Sequence, residues 1–156
     1  MKYKFVVCLL IIFTLISCEQ KIDYAGVFEI EALDDDTVRI CNSRRDDKDS
    51  AGKNHLSGVV NIPATIYGKT VVEIGKKAFY GCAHVKEFII PSTVKTIDEK
   101  AFEGCSSLIS VVFEDPYGWK VEESYHGNTI PLTLTDPRQN AKYLKNTYYL
   151  HTWQRE

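Results

Sequence analysis

Apolar residues in the middle of the chain fall into short extended runs separated by turn residues. In Val85-Lys86-Glu87-Phe88-Ile89-Ile90 they stand at positions one, four and six, so Phe88 and Ile90 share one face of a strand and Ile89 points the other way. Pro91 ends that strand because it has no ladder donor. Val94 and Ile97 make a second apolar pair, and Ala101-Phe102 predicts one helical or 3₁₀ turn with its ring inward before Gly104 reverses the chain. The unit repeats: Ile74-Gly75-Lys76-Lys77-Ala78-Phe79-Tyr80-Gly81-Cys82 returns 23 residues later as Ile97-Asp98-Glu99-Lys100-Ala101-Phe102-Glu103-Gly104-Cys105. Its strand recurs as Val60-Asn61-Ile62-Pro63, Phe88-Ile89-Ile90-Pro91 and Val111-Val112-Phe113, with Glu114 in the proline's place. The first copy carries a five-residue insertion, Tyr67 to Val71, so two units and part of a third are present.

One such unit cannot cover its own apolar side, and stacking closes the core. The expected interior is Ile74, Phe79, Cys82, Phe88, Ile90, Ile97, Phe102, Cys105, Val111 and Phe113. The outward strand positions are Asn61, Lys86, Glu87, Ile89, Ser110 and Val112, together with Val59 and Ile109. Ile89 beside Val112 would form an apolar column, either open to a partner or covered by the flanks.

The flanks carry different signals. Phe28, Ile30 and Ala32 alternate with Glu29 and Glu31, Asp34-Asp35-Asp36 makes a turn, and Val38 and Ile40 begin a return strand, which together read as a hairpin. The mixed-charge cluster from Arg44 to Asp49 reads as a solvated loop. After the repeats, Trp119-Lys120-Val121 and Ile130 to Leu134 read as strands, with Gly127-Asn128 between them. Asp136 followed by Pro137 starts a helix through Ala141, Tyr143 and Leu144, and Tyr148 to Trp153 reads as a last strand.

The N-terminus has its own pattern. Lys2 and Lys4 precede Phe5 to Ile16, twelve residues interrupted only by Thr14. That is shorter than the roughly 20 residues a membrane-crossing helix needs, and it predicts a secretory signal over residues 1–17. Leu15-Ile16-Ser17-Cys18 resembles the lipobox of bacterial lipoproteins. The resemblance implies a diacylglyceryl thioether on Cys18, palmitate-type acylation, a tether over residues 18–24, and anchoring in the bacterial envelope, at the outer membrane or cell surface. Ordinary secretory cleavage, with Cys18 incidental, is the alternative.

Composition narrows the function. With 44% apolar and 26% charged residues the chain is of the globular class. Its formal charge is −2, and loss of the leader removes two lysines and no acid, giving −4, which is no footprint for nucleic acid. Its five cysteines include no CxxC spacing and do not form a disulfide scaffold. Cys82 and Cys105 fall on adjacent rungs about 4.8 Å apart, a distance a disulfide permits. Equivalent positions project in parallel, however, which favours a ladder of buried thiols. A zinc site on Cys82 and His84 fails on spacing, since Ser107 replaces His84 in the next unit. A calcium loop begun at Asp47 places Ala51 and Gly58 where ligands are required, and Asp34 to Asp36 reads as a solvated turn. His55, His84, His126 and His151 are scattered without a catalytic motif. No cofactor, no metal and no catalytic residue is expected, and the state expected is monomeric.

The pattern V-xx-F-x-I-P-xx-V-xx-I-xxx-AF-x-G-C, from Val59 to Phe113, is similar to the BspA-like leucine-rich-repeat family, and the ending from Leu134 to Trp153 resembles the tails of its short lipoproteins. The resemblance implies a β-rich leucine-rich-repeat solenoid of two to three repeats over residues 59–114. The flanking patterns would cap it, with an N-terminal β-hairpin and polar loop over residues 25–58 and a C-terminal α+β cap over 115–156. It further implies a membrane-anchored protein-binding module, adhering to host or matrix proteins through an unknown protein partner. A structural or periplasmic envelope lipoprotein without external ligand is the alternative, and an enzyme ranks last.

Overall fold

A computed structural model describes residues 28–41, 56–122 and 128–156. The leader, Cys18 and its tether, the Arg44 to Asp49 cluster and Gly127 lie outside the described residues. In chain order the strands are β1 (Glu29–Ala32), β2 (Thr37–Cys41), β3 (Gly58–Asn61), β4 (Thr65–Ile66), β5 (Lys69–Ile74), β6 (Val85–Ile90) and β7 (Thr96–Ile97). They continue with β8 (Ser110–Phe113), β9 (Trp119–Glu122) and β10 (Thr129–Leu132), then helix α1 (Pro137–Lys142), a π turn over Tyr143–Thr147, and β11 (Trp153–Arg155).

The repeat pattern becomes two parallel ladders. In a three-stranded sheet β3, β6 and β8 run parallel, aligning Val60 with Phe88 and Val111, and Asn61 with Ile89 and Val112. In the second sheet β2, β5 and β7 are parallel and align Ile40, Ile74 and Ile97. Each unit therefore supplies one rung to each sheet, and the inward side chains meet between them, Val60, Phe88, Val111, Ile74 and Ile97 all being buried.

Local irregularities have local causes. Val85 and Phe88 are three residues apart yet both buried, which strict alternation forbids. A bulge resolves this: Gly58 pairs with Val85 but Val59 with Glu87, leaving Lys86 as the extra residue. The insertion Tyr67 to Val71 builds the tight hairpin of β4 on β5, with Tyr67 (φ 50°) and Gly68 (φ 79°) both left-handed at its two-residue turn.

The expected helical or 3₁₀ turn at Ala78-Phe79 and Ala101-Phe102 forms as isolated i→i+3 turns, with Tyr80 N–H donating to the Lys77 carbonyl at 3.0 Å and Glu103 N–H to that of Lys100 at 3.1 Å, and it does not extend into a helix. Lys77 (φ 58°) and Lys100 (φ 62°) are left-handed, which stops right-handed propagation. Phe79 and Gly81 donate across the rungs, to the carbonyls of Ala101 and Glu103 at 2.8 Å each, so the ladder takes the donors a helix would use. Gly104 is needed there because a Cβ would stand 3.2 Å from the Gly81 backbone, and its φ is 79°.

The flanks are built into the second sheet. β1 and β2 form the expected hairpin, and β2 then adds to β5 as a further rung. In the turn the Asp34 carboxylate accepts from the N–H groups of Asp36 and Thr37 at 2.8 and 2.7 Å. The expected last strand, Tyr148 to Trp153, lies instead at Trp153–Arg155. Residues 148–151 turn, with His151 N–H donating to the Tyr148 carbonyl at 3.1 Å and the Trp153 indole to the same oxygen at 3.2 Å. β11 runs antiparallel between β7 and β9, joining the last rung to the hairpin of β9 and β10. Its buried Arg155 pairs with Asp115, donates to the Ser92 carbonyl and lies 5.7 Å over the Trp119 ring. The second of the two expected strands after the repeats ends at Leu132; Leu134 is buried beyond it. Helix α1 begins as expected, the Asp136 carboxylate accepting from Arg138 and Gln139 N–H at 2.9 and 3.3 Å, with Pro137 in its first turn.

Candidate interaction surface

Equivalent side chains of successive units form columns inside the stack. The rings of Phe79 and Phe102 are stacked, with centroids 5.3 Å apart, and Phe88 lies 4.7 and 5.0 Å from them. Phe28 closes the cluster edge-on at 5.8 Å from Phe79. Cys82 and Cys105 are buried thiols outside any disulfide, and Cys105 donates to the Phe79 carbonyl at 3.2 Å. The neighbouring Cys82 thiol, and then burial, hold the Cys105 thiol far above the ordinary thiol range, so it stays protonated and unreactive. Ile90, Phe113 and the other residues expected inside are buried as well. Among the described residues no group of three His, Cys, Asp or Glu side chains stands together as a metal site.

The outer face of the three-stranded sheet carries two rows, Val59–Glu87–Ser110 and Asn61–Ile89–Val112. Asn61 and Lys86 are exposed; Glu87, Ser110, Ile89 and Val112 are half-buried. Ile89 and Val112 do stand side by side on adjacent rungs as an apolar column, half-buried rather than fully open. The exposed apolar area sits at Val59, 56% exposed, and at Ile109, 65% exposed, just before the last rung.

The second sheet presents a charged row instead. Glu31, Arg39 and Glu73 align across β1, β2 and β5, and Arg39 reaches Glu73 at 2.9 Å and Glu31 at 3.9 Å. Burial lifts the Glu73 carboxyl above the ordinary range, Arg39 opposing that shift and Asp98 adding to it.

The far end of the stack is closed by α1 and the π turn after it. The outer edge of β8 would otherwise offer its carbonyls to another strand. The Asn140 side chain, fully buried, donates to the Val111 and Leu134 carbonyls at 2.9 Å each, and Lys145 donates to the Leu108 carbonyl at 2.6 Å. Between the last rung and this helix lies a groove of about 400 Å³, with Ile109 and Ala141 beside Arg138, Lys142, Lys145 and Asn146. The groove was not foreseen from the sequence, where its trace is three cations close together at Arg138, Lys142 and Lys145.

Residues 49–149 match the BspA type Leucine rich repeat region (6 copies) family. Among solved structures, that of a T. pallidum leucine rich repeat protein is similar at 30% identity and a TM-score of 0.47. The match covers 56% of this chain and 37% of that one, so the chain spans well under half the length of the protein it matches. No curated protein matches.

Proposed function

Because the chain belongs to the BspA-type leucine-rich-repeat family, we propose that it is a non-catalytic protein-binding module, a short solenoid held at the bacterial envelope through an acylated Cys18. The observation that carries this reading is the stacked outer strand face, where successive units repeat equivalent outward positions at ladder spacing. Stacked repeats of this kind make extended surfaces suited to a macromolecule. The most nucleophilic side chains of the repeats, Cys82 and Cys105, are spent in the core and serve packing. No helix among the described residues is long and apolar enough to cross a membrane. On this reading attachment comes from the lipid, and two or more acyl chains suffice for lasting anchorage.

Adhesion to a host or matrix protein is the specific form we favour. The half-burial of Ile89 and Val112 favours a second form, an envelope component without external ligand, since these two side chains are only partly free to meet a partner. Protease treatment of intact cells separates them. Digestion alongside a known surface protein is expected for an adhesin, and survival while that protein is cut would contradict it. Palmitate labelling that persists in Cys18→Ser would sink the anchoring claim.

A further inference from the structure

We propose that the groove between the last rung and α1 binds an acidic peptide segment that sets carboxylates on either side of an apolar side chain. This goes beyond the strand-face reading and does not depend on it.

Three independent observations converge on the groove. The first is charge. Arg138 and Lys142 stand at i and i+4 on α1, where like charges repel, and Lys145 in the π turn lines the same groove. Arg138 and Lys142 form no ion pair among the described residues, and none of the residues lining the groove is acidic. A formally negative chain thus concentrates uncompensated cations at one place, where an anion would relieve their repulsion.

The second is shape. Ile109 is 65% exposed and lies in the groove beside the buried Ala141. A concave site of about 400 Å³ with an apolar floor admits an inserted side chain. A flat lipid surface would rest on the rim and leave Ile109 uncovered, so a peptide fits better than a membrane.

The third is the backbone. The helix passes into a π turn at Tyr143–Thr147, directly after Lys142 and containing Lys145. Such turns are scarce and concentrate at functional sites. This one carries the ammonium that caps the Leu108 carbonyl at 2.6 Å, fixing the third cation at the groove wall.

The test uses the full chain and a fluorescent Glu-Leu-Glu-Leu-Glu peptide, followed by anisotropy and by backbone amide shifts. Binding is expected to move the amides of Ile109, Arg138, Ala141 and Lys142, and to weaken about tenfold in the Arg138→Glu, Lys142→Glu double variant. Ile109→Asp, which changes an exposed residue, is expected to weaken it about as much, and a Gln-Leu-Gln-Leu-Gln peptide should bind about tenfold less tightly. Thermal melts of the variants monitor folding, and the charge-reversed chain should remain folded at the temperature of the binding measurement. Equal binding of the neutral peptide, indifference to charge reversal, or shifts confined to the outer strand face would overturn the proposal. So would charge-dependent binding to phosphatidylglycerol vesicles with no binding of the acidic peptide.

Discussion

Phe102 touches the Phe79 and Phe88 rings at 5.3 and 5.0 Å and has no exposed surface, so its removal opens a cavity that both units line. Phe102→Ala should cost about 3–5 kcal/mol in urea unfolding, in the range for fully buried phenylalanines. A loss under about 1 kcal/mol would place the ring at the surface. Asn140 makes a sharper case. Its side chain serves two buried carbonyls, and Asn140→Ala leaves both unpaired at about 1–3 kcal/mol each. Asn140→Asp should be worse than Ala, because it sets a carboxylate against two oxygens it cannot bond; the same unfolding measurement ranks the two. The phenylalanines were legible from their repeat spacing. Asn140 was not, because a polar residue in a helix reads as solvated until one knows what the helix lies against.

At the scale of elements, local chemistry was legible and adjacency was not. The Asp34 turn, the Asp136 cap and the strands of each unit follow from neighbouring residues in the chain. That β2 becomes a rung, and that β11 slots between β7 and β9, depends on pairings between distant segments that no local pattern specifies. The bulge at Lys86 and the left-handed Lys77 and Lys100 were missed for the same reason, since rung-to-rung hydrogen bonding overrides local preference there. The two turn-side and ladder-side carboxyls should titrate in opposite directions. Hydrogen bonds from Thr37 and Asp36 hold Asp34 below the ordinary aspartate range, so its contribution is present above the unfolded pKa and fades as pH falls through the lower folded value. Glu73 is raised by burial, so the folded chain gains from its protonation as pH falls between its higher folded pKa and the unfolded one. Carboxyl carbon shifts followed through an acid titration would show this order, and Glu73 titrating at or below a free glutamate would contradict it.

Among the described residues the stack is short, and its sheet edges are a liability. One sheet gains extra strands on both sides of its parallel rungs, and the β8 edge of the other is covered by α1, with Asn140 occupying the outward Val111 carbonyl that an incoming strand would seek. The helix that closes the stack also creates its groove, which is why the groove was invisible before the docking of α1 was known. All of this depends on equivalent residues of successive units lying one above the next. Proton–proton Overhauser contacts test that most directly. Contacts are expected between the Phe79 and Phe102 ring protons and between the Cys82 and Cys105 side chains. Phe79 and Phe102 each in contact with their own unit alone, with no cross-peak between the rings, would contradict it.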